Sequence, residues 1–220
     1  MVRQATSSLT ILALAAAASM ATLVIAAPAI SADLTVTVTD KDGAPVSNAV
    51  VFLDSGSPTE PGTTVKMVQR NQSFNPDVLA IALGTRVQFP NEDPFRHHVY
   101  SFSPAKRFEL KLYGGDDIQE VVFNQAGEIA LGCNIHDDML GYIYVVESNY
   151  FGTTDENGTV VVSGLADAQP YDAQVWHPRL RGPTRRTSQS VTAGQSAKFE
   201  IGLKRDRRKQ SGSDFEGGVY

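Results

Sequence analysis

Gly127-Glu128-Ile129-Ala130-Leu131-Gly132-Cys133-Asn134-Ile135-His136-Asp137-Asp138-Met139 is the stretch from which the rest of this 220-residue chain is read. Up to Cys133 it alternates with period two. Ile129, Leu131 and Cys133 fall on one face, and Glu128, Ala130 and Gly132 on the other. That pattern predicts a strand that turns Cys133 inward with the apolar set. Beyond it, a thiol, an imidazole and a thioether recur at three-residue steps, C-x-x-H-x-x-M, and Cys133 is the only cysteine. A cysteine alone in such a strand reads as a small buried hydrophobe. With His136 and Met139 at these spacings it reads as a metal ligand.

A mononuclear blue-copper site uses one thiolate, two imidazoles and a weak axial thioether. Three of the four lie in this one stretch, so the second imidazole must come from elsewhere. His97, His98 and His177 are the remaining histidines. His177, in Trp176-His177-Pro178, lacks ligand spacing and reads as structural. His97 and His98 are adjacent in a β-like run, where neighbours point to opposite faces, so only one of them reaches the metal. His98 shares its face with Tyr100 and Phe102, which resembles a core face, and this leaves the choice open.

Composition narrows the function. Hydrophobic residues make up 42% and charged residues 20%, as in soluble globular proteins. A net charge of −5 argues against a nucleic-acid partner, because there is no overall basic excess to neutralise phosphates. Four histidines are too few for the additional copper cluster of a multicopper oxidase, and one cysteine cannot build a centre bridged by two thiolates. One mononuclear site is the ceiling. The N-terminus reads as an export signal. Arg3 precedes an apolar, alanine-rich run from Ile11 to Ile30, followed by small residues at Ala27-Pro28-Ala29 and Ile30-Ser31-Ala32. Cleavage before Asp33 is expected; an uncleaved membrane anchor is the alternative.

The rest of the chain reads as all-β. Residues 1–32 are the signal peptide. Residues 33–60 open with the alternating Leu34-Thr35-Val36-Thr37-Val38-Thr39, turn at Asp40-Lys41-Asp42-Gly43, and return as a strand from Val46 to Leu53. Residues 61–148 hold seven or eight short strands and no helical pattern, which predicts a Greek-key sandwich. Residues 149–204 give further strands around Asp155-Glu156-Asn157-Gly158 and Thr192-Ala193-Gly194-Gln195. Residues 205–220 form a polar, glycine-rich tail read as disordered.

On these residues the middle block resembles a cupredoxin. Its Cys133-Asn134-Ile135-His136-Asp137-Asp138-Met139 loop has amicyanin spacing and is shorter than the plastocyanin one. His97-His98-Val99-Tyr100-Ser101 with Cys133-Asn134-Ile135-His136 is similar to bacterial plastocyanin-like proteins of the methylamine utilization type. The resemblance implies a type 1 copper ion held by His97, Cys133, His136 and Met139, with His98 where cupredoxins carry an asparagine that ties the ligand loops together. Val36 to Leu53, with D-x-x-G-x-P-V-x-x-A-x-V, and the stretch from Thr154 to Val175 resemble the two ends of a carboxypeptidase regulatory-like β-sandwich. That implies a copper domain inserted into a second small sandwich.

The expected function is a non-enzymatic, exported carrier of single electrons in the periplasm. The expected partner is a redox protein, such as a cationic c-type cytochrome or a dehydrogenase. No stable membrane insertion is expected after signal cleavage. A copper carrier or buffer would use the same ligands, and an adhesive β-protein with a vestigial site is a third reading.

Overall fold

The computed structural model describes residues 31–54 and 63–205. The expected signal peptide therefore lies outside the described residues apart from Ser31 and Ala32. Residues 55–62, at the junction of the first two expected segments, and all of the expected tail except Arg205 also lie outside them. Among the described residues the chain is all-β, without a helix. The strands are β1 (Ser31–Asp40), β2 (Val50–Asp54), β3 (Val65–Lys66), β4 (Val68–Arg70), β5 (Ser73–Asn75), β6 (Val78–Ala82), β7 (Arg86–Phe89), β8 (His97–Ser103) and β9 (Lys106–Tyr113). They continue as β10 (Gln119–Val122), β11 (Gly127–Cys133), β12 (Leu140–Val146), β13 (Phe151–Thr153), β14 (Thr159–Ala166), β15 (Pro170–Trp176), β16 (Arg186–Thr192) and β17 (Ser196–Ile201).

The two ends of the chain share sheets. β1 lies between β14 and β17, antiparallel to the first and parallel to the second, and β2 lies between β13 and β15 in the order β13-β2-β15-β16. Leu34, Val36 and Val38 are fully buried while Thr35 and Thr37 are not, so the alternation read from the sequence places one face of β1 in a core. Gly158 makes a close approach possible there. It sits at φ 70°, and a Cβ on it would lie 2.5 Å from the Val38 carbonyl oxygen. β1 already includes Ser31 and Ala32, paired with Ala166 and Leu165, two residues ahead of the expected cleavage point.

Strands β3 to β12 form the second sandwich. Its five-stranded sheet runs β6-β12-β11-β8-β9 and its three-stranded sheet β10-β7-β3, with the β4–β5 hairpin beside them. Their inner faces share one apolar cluster that includes Met67, Phe74, Phe89, Phe123, Ile129 and Leu131, all fully buried.

The strand expected from Val46 begins at Val50 instead. Pro45 makes only an isolated bridge to Thr39, and Asn48 takes a left-handed φ of 61°, so residues 46–49 turn before the strand starts. β13 was not expected; it pairs Phe151 with Phe52 and Thr153 with Val50. β3 and β4 are divided at Met67, which still donates its N–H to Gln88 O at 2.8 Å.

β2 is buried on both faces. Val51 and Leu53 enter the core of the flanking strands, while Val50 and Phe52 join Val78, Tyr144, Val146 and Trp176 in a separate cluster at the junction of the two sandwiches. There the Trp176 ring stacks on Tyr144 with centroids 4.6 Å apart. Glu128, on β11, accepts from Trp176 Nε1 at 3.3 Å and from Arg185 Nη1 at 2.7 Å. The strand that ends in Cys133 is therefore tied at its other end to the flanking sandwich.

Candidate metal centre

β11 delivers Cys133 to the end of the core. Ile129 and Leu131 are fully buried and Cys133 is 4% exposed on the same face. After Cys133 the chain turns tightly, with Met139 N–H donating to His136 O at 3.0 Å. This turn leaves His136 half-buried and returns Met139, 2% exposed, to the apolar cluster that holds Cys133. From β8, His97 enters with no exposed surface.

His97, Cys133 and His136 come together, each offering a donor atom within 4.8 Å of the others. Cys133 Sγ lies 3.6 Å from His97 Nδ1 and 3.8 Å from His136 Nδ1. Metal–sulfur bonds of about 2.3 Å and metal–nitrogen bonds of about 2.0–2.1 Å, opened at roughly 110–120°, separate sulfur and nitrogen by about 3.6–3.8 Å. The donor chemistry points the same way. A sulfur and two imidazole nitrogens, all able to present lone pairs, converge on one point. That donor set suits a soft cation, and the residues fit copper.

His98 does not join them. Its Nε2 lies 2.8 Å from Glu109 Oε1, and its ring packs beside Tyr100. The Tyr100 and Phe102 face looked like a core face in the sequence, yet Phe102 is 75% exposed. It is the outer face of the sheet. Tyr100 instead covers Gly132, where a Cβ would lie 2.7 Å from the ring carbon Cζ. His177 is remote in role: its Nδ1 accepts from Arg179 N–H at 3.1 Å.

Three residues around the site were not singled out from the sequence. Asp93 Oδ2 lies 2.7 Å from His97 Nε2. Burial raises its pKa, but the Gln72 N–H, the His97 side chain and the Asn71 N–H outweigh that and hold the carboxyl below its ordinary value. Asn91 donates through Nδ2 to Phe95 O at 2.8 Å and Tyr113 O at 3.1 Å, and accepts from Asp93 N–H at 3.0 Å, fixing the loop before β8. Phe95 covers both imidazoles, with its ring 5.2 Å from that of His97 and 5.4 Å from that of His136. The available signal was Asn91-Glu92-Asp93-Pro94, a turn sequence with a carboxylate four residues before His97.

No protein-family model matches the chain, and no curated protein sequence matches it. Among solved structures it is similar to a Cu-containing nitrite reductase (NirK) from Thermus scotoductus SA-01, at 29% identity and TM-score 0.37 over 44% of this chain. The chain spans 25% of that protein's length. It is also similar to a purple cupredoxin from Nitrosopumilus maritimus, at 23% identity and TM-score 0.34, over 38% of this chain and 99% of the other. A reduced Cu(I) form of an amicyanin mutant matches at 20% identity and TM-score 0.35, over 44% and 98%.

Proposed function

We propose that this chain is a type 1 copper protein of the cupredoxin kind that carries single electrons between redox proteins without acting as an enzyme. The observation that carries the reading is one thiol facing two imidazole Nδ1 atoms at 3.6 and 3.8 Å at the buried end of a strand. Cys133, His97 and His136 would hold the ion, with Met139 as a further, weaker thioether donor. When bound, copper supplies a one-electron couple between Cu(I) and Cu(II). Cys133 and Met139 offer soft sulfur and the imidazoles serve the oxidised state. The sheet holds His97 and Cys133 on adjacent strands, so the donor positions change little between the two states. Phe95 limits access of water.

His136 is the least buried of the clustered donors and lies between exposed Asp137 and Asp138 on one side and exposed Ile135 on the other. These carboxylates suit a basic partner face, such as that of a cationic c-type cytochrome. The N-terminal apolar run supports export to the periplasm, where a lone thiol is protected by burial or by metal. The copper domain reads as an insertion between two halves of a flanking sandwich.

A copper carrier or buffer is the second reading. Ligands on a mobile, exposed segment would favour it; Cys133, His97 and Met139 are instead buried in or beside sheet strands. The test is the visible spectrum after adding Cu(II). Intense thiolate-to-copper charge transfer is expected and should disappear in Cys133→Ser. Colour that persists in that variant refutes the ligand assignment, and copper lost during repeated redox cycling favours the carrier.

A further inference from the structure

Asp93 and His97 are sealed together, their side chains 5% and 0% exposed. The carboxylate is fully engaged. Oδ1 accepts from Asn71 N–H at 2.7 Å, and Oδ2 accepts from Gln72 N–H at 3.0 Å while lying 2.7 Å from His97 Nε2. Asn71 and Gln72 form the tip of the β4–β5 hairpin, and both adopt left-handed backbone, at φ 54° and 56°. Successive residues in this conformation aim their N–H groups toward one side, which makes a cradle for an anion. The hairpin tip thus fixes the carboxylate, and the carboxylate faces the ring.

We propose that Asp93, gripped by the Asn71-Gln72 turn, is the positioning residue that sets the His97 tautomer and aims its Nδ1 at Cys133 Sγ. An ionised carboxylate only accepts, so the Nε2 beside it must carry the hydrogen, and in a neutral ring this leaves the lone pair on Nδ1. That nitrogen is the one 3.6 Å from Cys133 Sγ. Carboxylates placed behind metal-bound imidazoles fix ring orientation and raise ligand basicity. The negative charge also favours the oxidised ion over the reduced one, and so lowers the potential. The copper half of this inference rests on the proposed function; the tautomer half does not.

The experiment uses the full chain. In the metal-free protein, two-dimensional ¹⁵N–¹H long-range correlation reads the His97 tautomer. The Nε2–H form is expected in the wild type and in Asp93→Asn, whose amide oxygen can still accept that hydrogen; it should be lost or mixed in Asp93→Ala. In the copper-loaded proteins, Asp93→Ala should bind copper about 10–100-fold more weakly. Asp93→Asn should bind nearly as tightly as wild type but at a raised potential. Asp93→Asn keeps an acceptor for the ring and Gln72 N–H and loses the one for Asn71 N–H, so the effect of charge on the potential stays readable even if the alanine variant fails to fold. A retained Nε2–H form in folded Asp93→Ala overturns the positioning role, whatever copper does. An unchanged potential in Asp93→Asn overturns the electrostatic part. A wild type that has the expected tautomer but no charge-transfer band with copper refutes the proposed function and leaves the positioning of His97 standing.

Discussion

Trp176→Ala is expected to weaken the flanking and copper-site sandwiches together. Trp176 is 1% exposed, stacks on Tyr144 at 4.6 Å, meets Tyr142 edge-on at 6.0 Å, and donates to Glu128 on β11. Truncating a buried tryptophan to alanine costs about 3–5 kcal/mol, of which the aromatic stacking accounts for roughly 0.5–1.5. A domain's whole stability is typically about 5–15 kcal/mol. With a urea slope of about 2 kcal/mol/M, the midpoint should fall by roughly 1.5–2.5 M. Trp176→Phe keeps a ring on Tyr144 and leaves Glu128 paired with Arg185, so a loss under about 2 kcal/mol is expected. Trp176 is the only tryptophan. Far-UV circular dichroism therefore follows the whole fold, and the charge-transfer band of the copper-loaded protein follows the β8–β11 end. Both transitions should shift together. A copper-band midpoint unchanged in Trp176→Ala, while the circular dichroism midpoint falls, would show that the junction does not couple the sandwiches and would refute the reasoning.

His97→Ala should abolish the charge-transfer band, whereas His98→Ala should keep it, because only His97 Nδ1 faces the thiol; optical spectra of both variants decide this. Gly132→Ala would place a Cβ 2.7 Å from Tyr100 Cζ and should cost about 1–3 kcal/mol through overpacking. Urea titration should show most of that loss recovered when Tyr100→Ala is added, and no recovery would rule out the clash as its cause. A fragment spanning residues 61–148 should bind copper alone with lower stability, since Tyr144 and Val146 lose their cover; failure to fold would argue against an inserted domain. Replacing Asp137 and Asp138 with asparagine should slow electron transfer to a cationic cytochrome several-fold at low salt and little at high salt. The second-order rate against ionic strength measures this, and an unchanged salt slope would remove both carboxylates from docking.

Short-range periodicity made part of this molecule legible without any coordinates. Alternation placed Ile129, Leu131 and Cys133 on one buried face, because the side-chain period of a strand is two wherever the strand packs. It placed Leu34, Val36 and Val38 in a core for the same reason. Spacing within one tight turn brought His136 back beside Cys133 and buried Met139 in the same cluster. Tertiary packing settled whatever depends on residues distant in the chain or on the absolute phase of a strand. His97, His98 and Val99 are all buried in succession, and the β8–β9 register shifts between His97 and Val99, so alternation could not say which imidazole turns inward. The apolar pairing of His98 with Tyr100 and Phe102 pointed to the wrong face, since that face lies outside the sheet and Phe102 is exposed. Asp93 joined His97 only because the Asn71-Gln72 turn holds it there, and Trp176 met Glu128 only because it lies on the face of the β2–β15 sheet opposite Ala173 and Val175, the face that packs against the second sandwich. Such contacts form between surfaces that no local pattern encodes, once the sandwiches have closed.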